Sequence, residues 1–120
     1  MDLIPRFLDH LRDERGLSPR TREAYARDLE KFADEVGRLD AAAPGDVSEH
    51  DVRRFIARLH RQGLGARSTQ RVLSAVRSLY RYLVREGIAD HNPASAVKAP
   101  KAPKKLPKTL DTDAATLLKY

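Results

Sequence analysis

The sequence contains no cysteine. That absence removes disulfide scaffolds, thiolate metal sites, cysteine nucleophiles and thiol redox switches together. Tryptophan is also missing, and Phe and Tyr together number seven. No apolar run approaches the ~18–20 residues needed to cross a bilayer. The opening Met1-Asp2-Leu3-Ile4-Pro5-Arg6 lacks the basic start and long apolar core of a signal peptide. No segment alternates apolar and polar residues over a strand length, so strands are not expected. The four His at 10, 50, 60 and 91 have no metal-ligand spacing. There is no glycine-rich phosphate loop, no pair of carboxylates set for acid–base work, and no Ser-His-Asp arrangement. No self-contained active site is expected.

What is present is charge, and one sign of it is unevenly placed. The chain has 120 residues, enough for one domain, with 23 Lys+Arg against 17 Asp+Glu and a net charge of +6. Residues 1–63 hold 12 basic and 13 acidic groups, whereas residues 64–110 hold 10 basic and 2 acidic. The whole excess therefore lies in one stretch. A concentrated excess points to a polyanion-binding surface, where an even one would point only to solubility.

The apolar spacing is helical throughout and predicts an all-α, four-helix bundle followed by an extended linker. The first helix runs over 2–15, with Leu3, Ile4, Phe7, Leu8 and Leu11 on one face and Gly16 as its stop. Ser18 is a good N-cap for the second, Pro19 suits its first position, and Gly37 is expected to end it. Its apolar stripe is Tyr25, Leu29, Phe32 and Val36. Residues 38–47 read as a loop. The third helix starts at Ser48, with Asp51 completing a capping box, and closes at Gly63. The fourth runs over 68–86, burying Val72, Leu73, Val76, Leu79, Tyr80 and Leu83, and stops at Gly87. Asn92-Pro93 begins a short turn of helix carrying Ala94 to Val97.

Residues 98–110 hold three Pro and five Lys and read as an extended linker. Asp111-Thr112-Asp113 then resembles a new N-cap. The organisation expected is a helical domain over 1–97, a basic linker over 98–110, and the start of a further domain over 111–120. The chain is expected to be the N-terminal part of a longer protein.

On a wheel of ~100° per residue, Arg71, Ser74, Ser78, Arg81 and Arg85 fall within about 40° of Arg67. The apolar set lies opposite, and Arg77 sits on the flank. No acid of this helix interrupts the face before Glu86. A charge run is ordinarily a solvated helix face. Here i,i+4 arginines repel one another, and a stripe meant only for solubility would intersperse Glu. Sign purity and interleaved small serines favour phosphates.

The second helix shows a weaker version. Thr21 and Arg22 lie in the first turn, where the helix dipole favours a phosphate, and Arg20 shares a face with Ala24, Arg27 and Lys31. Glu23, Glu30 and Asp34 flank it, so an ion-paired surface helix accounts for it equally well. In the third helix, Arg53, Arg54, Arg58 and Arg61 lie near Glu49 and Asp51, and ordinary solvation is the better reading. The linker lysines, Lys104 and Lys105 among them, either keep the linker soluble or form a strap along a nucleic-acid backbone. Tyr25 and Tyr80 read as core, and Tyr82 is left open between core and surface.

Ser18-x-x-Thr21-x-x-x-Tyr25-x-x-Asp28-Leu29-x-x-Phe32 resembles the second helix of the core-binding domain of tyrosine recombinases, the phage-integrase family. Leu73-Ser74-Ala75-Val76-Arg77-Ser78-Leu79-Tyr80-x-Tyr82-Leu83 resembles its fourth helix. Asn92-Pro93-Ala94 and the run from Ala99 to Lys108 resemble the exit into the catalytic domain. Within the Xer branch, Gly63-Leu64-Gly65 and the linker resemble the XerC type more than the XerD type.

The resemblance implies a SAM-like DNA-binding bundle, half of a C-shaped protein that encircles duplex DNA. It implies DNA contacts from Arg20, Thr21 and Arg22, and from Arg67, Ser68, Arg71, Ser74 and Arg77; the wheel adds Arg81, and the basic linker adds Lys104 and Lys105. The catalytic half, with its nucleophilic Tyr, is absent from these residues, and Tyr120 does not match that nucleophile. Also implied are a cytoplasmic setting, no membrane, no cofactor, and a heterotetramer on DNA with an XerD-like sister recombinase. A septal DNA translocase is a further implied partner. The resemblance leaves a phage, integron or transposon integrase open as the parent. The closeness of Met1 to the first helix leans toward Xer. A helical protein-interaction module with no DNA role stays open as well.

Overall fold

A computed structural model of the protein describes residues 3–39 and 43–99. Among these residues the elements are all helical. Helix α1 spans Leu3–His10 and continues as one π-helical turn, Leu11–Arg15. Then come α2 (Pro19–Arg38), a 3-10 turn (Pro44–Asp46), α3 (Glu49–Arg61) and α4 (Ala66–Arg85).

Local chemistry sets most of the boundaries. Gly16 takes the left-handed conformation, φ 62°, that ends the π turn. The Ser18 hydroxyl accepts the Thr21 amide at 3.2 Å, and Pro19 fills the first turn of α2. At α3 the box is reciprocal: the Asp51 amide donates to Ser48 Oγ at 3.1 Å, and the Ser48 amide donates to Asp51 Oδ2 at 3.0 Å.

Three expectations need correction. Gly37 does not end α2, which runs on through Arg38. The Leu39 amide still donates to Glu35 O and Val36 O, and Leu39 packs against the core. That packing outweighs the ~1 kcal/mol cost of a helical glycine. Helix α4 starts at Ala66 rather than Ser68, with Gly65 as N-cap and no side-chain cap. Thr69 explains the earlier start: it is fully buried, and its hydroxyl donates to Gly65 O at 2.9 Å, one turn back. Arg67 therefore lies inside the helix and not before it. Finally, α1 does not keep α-helical winding to Arg15 but widens into the π turn.

The core forms where the four apolar stripes meet. Phe7, Leu29, Phe32, Val52, Phe55, Val72, Val76, Leu79, Tyr80 and Leu83 are essentially inaccessible. Burying each large side chain contributes about 1.5–3 kcal/mol. Phe32 is the hub, packing edge-on against Phe55 at 5.7 Å and Tyr80 at 6.0 Å. The Tyr80 hydroxyl donates to Pro44 O at 2.6 Å, which ties the 3-10 turn to α4. Burial, with the Asp51 charge adding to it, pushes the Tyr80 phenol well above its usual range. Tyr82, left open by the sequence, is buried against Phe7 at 5.7 Å.

Beyond Gly87 (φ 75°) the chain returns along α4. Asn92 donates to Arg77 O at 3.2 Å and accepts the Ala94 amide at 3.0 Å. The turn of helix expected here is instead a non-helical turn, since the Asn92 side chain takes the Ala94 amide, and Pro93, Ala94 and Val97 are buried in it. Of the expected linker only Lys98 and Ala99 are described, and neither is helical. Lys104, Lys105 and the expected domain start over 111–120 lie outside the described residues.

Candidate nucleic-acid interface

The most extensive helix packing is α2 on α4. On α4, Arg67, Arg71, Arg81 and Arg85 are exposed, and Ser68, Ser74, Arg77 and Ser78 are half-buried between them and the core. The stripe drawn from the helical wheel is therefore present in space. On α2, Arg20 is exposed, and Thr21 and Arg22 are half-buried.

The state of each arginine differs, and here sequence reasoning was incomplete. Arg71 is held by Asp28 of α2, whose carboxylate has no solvent exposure. Arg71 Nε donates to Oδ2 at 2.8 Å and Nη2 donates to Oδ1 at 3.0 Å. These bonds, more than the bare attraction of the charges, raise the Arg71 pKa above its ordinary value. Lys31 Nζ stands 4.0 Å from the same carboxylate. An acid does reach the α4 face, then, but from a different helix.

The signal for Asp28 was available. It sits at the edge of the Tyr25–Leu29–Phe32 stripe, at a position that must face inward. A carboxylate there requires a cation.

Arg77 is engaged with the returning chain. Its Nε donates to Ala94 O at 3.0 Å and its Nη2 to Val97 O. A groove of about 320 Å³ opens beside it, lined by Gln70, Leu73, Ser74, Arg77, Lys98 and Ala99. Lys98 thus adds a cation next to the α4 stripe.

Arg81 donates to Ser78 Oγ at 2.9 Å. Arg85 lies over the Tyr82 ring at 5.9 Å and against His10, itself stacked on Tyr82 at 4.9 Å. At the start of α2, Ser18 Oγ donates to Thr21 Oγ1 at 3.0 Å, and Arg22 Nε reaches Leu17 O at 3.5 Å. The structure brings Arg71 of the fourth helix onto the second helix. Among the described residues no hydrogen bond or ion pair links the Arg20–Arg22 turn to α4.

Chemically, the surface offers exposed guanidinium groups with small hydroxyls between them. Among the described residues no group of His, Asp and Glu could hold a metal ion. No described helix is long and apolar enough to cross a membrane.

The chain is similar to known proteins over most of its length. The profile of the phage integrase N-terminal SAM-like domain matches residues 4–87. The chain is 48% identical over 112 residues to the tyrosine recombinase XerC of Pseudomonas fluorescens, covering 93% of this chain and 38% of that protein. It is 49% identical over 115 residues to XerC of Pseudomonas aeruginosa strain PAO1, covering 93% and 37%. To XerC of Pseudomonas putida strain W619 it is 50% identical over 112 residues, covering 93% and 38%. The chain thus spans little more than a third of the length of these relatives. No solved structure matches it. With its four helices, its matched span and these relatives, the chain belongs to the phage-integrase SAM-like family, as a XerC-like N-terminal domain of a tyrosine recombinase.

Proposed function

We propose that this domain grips duplex DNA for a site-specific recombinase, using the shared surface of α2 and α4. The observation that carries the reading is the α4 stripe: Arg67, Arg81 and Arg85 exposed, with no acid on their own helix before Glu86. Such a row costs repulsion in the free protein, and phosphates relieve it. Ser68, Ser74 and Ser78 let a backbone approach and can donate to phosphate oxygens. Arg20, Thr21 and Arg22 extend the surface at the start of α2. Lys98 begins a basic strap that Lys104 and Lys105 continue along the duplex.

In this reading the domain over 1–97 binds DNA and the segment over 98–110 leads to a catalytic half. The whole protein cleaves and rejoins strands through a 3′-phosphotyrosine at a short two-half-site sequence, and so resolves chromosome or plasmid dimers. Its setting is the cytoplasm. Its partners are an XerD-like sister recombinase in a heterotetramer on DNA, and a septal DNA translocase.

A salt titration of duplex binding by the 120-residue chain tests the DNA role. Four phosphate contacts from Arg20, Arg67, Arg81 and Arg85 correspond to a slope of log K against log salt of about −3.6, at ~0.9 per contact. Binding that ignores salt, or ignores duplex DNA, returns the chain to a protein-interaction module.

A further inference from the structure

Among the α4 arginines that face solvent, Arg71 alone has a carboxylate partner among the described residues, and that partner is wholly buried. The pairing is side-on: Nε and one N–H of Nη2 point inward to Asp28. A guanidinium has five N–H donors in a rigid fork. Two are used here. The three that remain, both on Nη1 and one on Nη2, form the end of the fork. The Arg71 side chain is 43% exposed and Asp28 is not exposed at all, so the free end is the solvent-facing one.

This is a poor way to build a phosphate clamp. The Asp28–Arg71 pair is formally neutral, and a neutral pair releases no counterions. Burying a carboxylate also carries a desolvation cost that a clamp does not need. Arg67 and Arg81, on the same face with no carboxylate partner among the described residues, serve phosphate better. What the buried carboxylate supplies is direction. It removes the rotational freedom of a long side chain and leaves two parallel donors aimed away from the protein. In the major groove, guanine alone presents two adjacent acceptors, O6 and N7, that match such a fork. Adenine sets a donor beside its N7, and thymine offers a single acceptor beside a methyl group.

We propose that Arg71, aimed by Asp28, reads the O6/N7 edge of a guanine in the major groove, and that Asp28 is the positioning residue for this recognition. The proposal rests on the DNA-binding reading above. Lys31 remains a general source of attraction beside the reader.

The test uses the 120-residue chain and a pool of duplexes with a randomised core. Bound duplexes are selected and sequenced, and a salt titration is run on the selected duplex. The native chain is expected to enrich a guanine at one position. Arg71→Ala should lose that enrichment, with a preference of roughly 10-fold or more falling toward one, while the salt slope changes by well under one charge. Arg71→Lys keeps the charge, lacks the fork, and should lose the guanine as well. Asp28→Asn should weaken the guanine preference and steepen the salt slope by about 0.9, because it frees a cation.

If Asp28→Asn, or Arg71→Ala with its stranded Asp28 carboxylate, fails to fold by circular dichroism, Arg71→Lys, which keeps a cation beside Asp28, decides the matter alone. Guanine enrichment that survives Arg71→Ala or Arg71→Lys overturns the proposal. So does a flattened salt slope for Arg71→Ala with no change in preference, which would make Arg71 a phosphate clamp. A native chain that binds duplex but enriches no base sinks this proposal and leaves the DNA role standing. A native chain that binds no duplex sinks both.

Discussion

The outer side of α3 carries Arg53, Arg54, Arg58 and Arg61, and the outer side of α4 carries Arg67, Arg71, Arg77, Arg81 and Arg85. By count the two helices look alike. On α3, Arg53 pairs with Glu49 one turn back, and Arg58 pairs with Glu35, a nearly buried acid of α2. A hollow of about 240 Å³ beside that pair is lined by Glu35, Arg54, Ala57, Arg58 and Arg61. On α4 no arginine has an acid of its own helix within reach. One is held by Asp28, one by backbone carbonyls, and Arg67 and Arg81 have no carboxylate partner among the described residues. Counting arginines therefore does not locate an anion-binding face. The location follows from where each guanidinium spends its donors.

The largest effect that can break this comparison is on stability. If the arginines of α3 serve the fold, Arg58→Ala should be costly, because it strands Glu35 with its side chain 6% exposed. Removing one partner of a buried pair costs 3–5 kcal/mol, and Arg58 is itself 28% exposed, so about 3 kcal/mol is expected. Urea unfolding measures it. A loss below about 0.5 kcal/mol, the range of ordinary surface changes, would put Arg58 in the same class as an exposed arginine of α4.

A somewhat smaller effect separates the faces in binding. Replacing Arg67, Arg81 and Arg85 together by Ala should flatten the salt slope for duplex DNA by up to ~2.7, equivalent to about 40-fold between 50 and 200 mM salt. Replacing Arg53, Arg54 and Arg61 should leave the slope within one charge. Equal slopes from the two triple variants would erase the distinction drawn here.

Much of this was legible in the sequence, and the failures have physical causes. Ser18 and the Ser48–Asp51 box mark helix starts because their bonding is local and needs no tertiary partner. Gly16, Gly63 and Gly87 mark stops for the same reason, each with positive φ. Gly37 misled because a tertiary contact of Leu39 outweighs a local cost. Ser68 misled because the true start is set by where Thr69 must bury its hydroxyl. The α4 stripe followed from periodicity alone. What a single-helix wheel cannot display is a partner from another helix. Asp28 and Glu35 stand on one edge of the α2 stripe, seven residues apart, and each captures an arginine of a different neighbour.

A third effect concerns Arg77, which the helical wheel put on the flank of the stripe. Its donors hold the carbonyls of Ala94 and Val97. Arg77→Met keeps the apolar stem and removes those donors. Bonds from a charged donor contribute about 1.5–3 kcal/mol, so the 92–97 turn should open at least ~10-fold more often in hydrogen exchange. The rest of α4 should keep its protection. Duplex affinity should fall less than in Arg81→Ala, since Arg77 acts through the chain it anchors. Unchanged exchange over 92–97 would place Arg77 with the outward arginines.

The smallest effect lies at the first turns of the two helices. Helix α3 starts with a reciprocal Ser–Asp box, whereas α4 starts at Gly65 with no side-chain cap. Only the first of these can respond to acid. The Ser48 amide, as the largest influence, holds the Asp51 carboxyl below its usual 3.8. A carboxyl depressed in the folded state binds its proton more readily when unfolded. Its contribution is therefore full above the unfolded value and disappears as pH falls through the folded one. Stability should decline below about pH 4, and Asp51→Asn should remove that part of the decline. Ser48→Ala removes the other half of the box and should cost about 1 kcal/mol at neutral pH.

The exposed Asp90–His91 pair titrates in a separate window, because the hydrogen bond to Asp90 raises His91 above its usual 6.5. Its small contribution is full below that ordinary value and is lost as pH rises through the raised folded one, so a change near neutrality is not the box. Amide exchange of the first α3 turn, followed from pH 6 down to 3, isolates the box from every other carboxylate. Protection there should fall with pH in the native chain and be flat in Asp51→Asn, while the first turn of α4 stays flat in both. An acid-sensitive start to α4 would show that a carboxylate also governs that turn, and the contrast between the two helices would have to be redrawn.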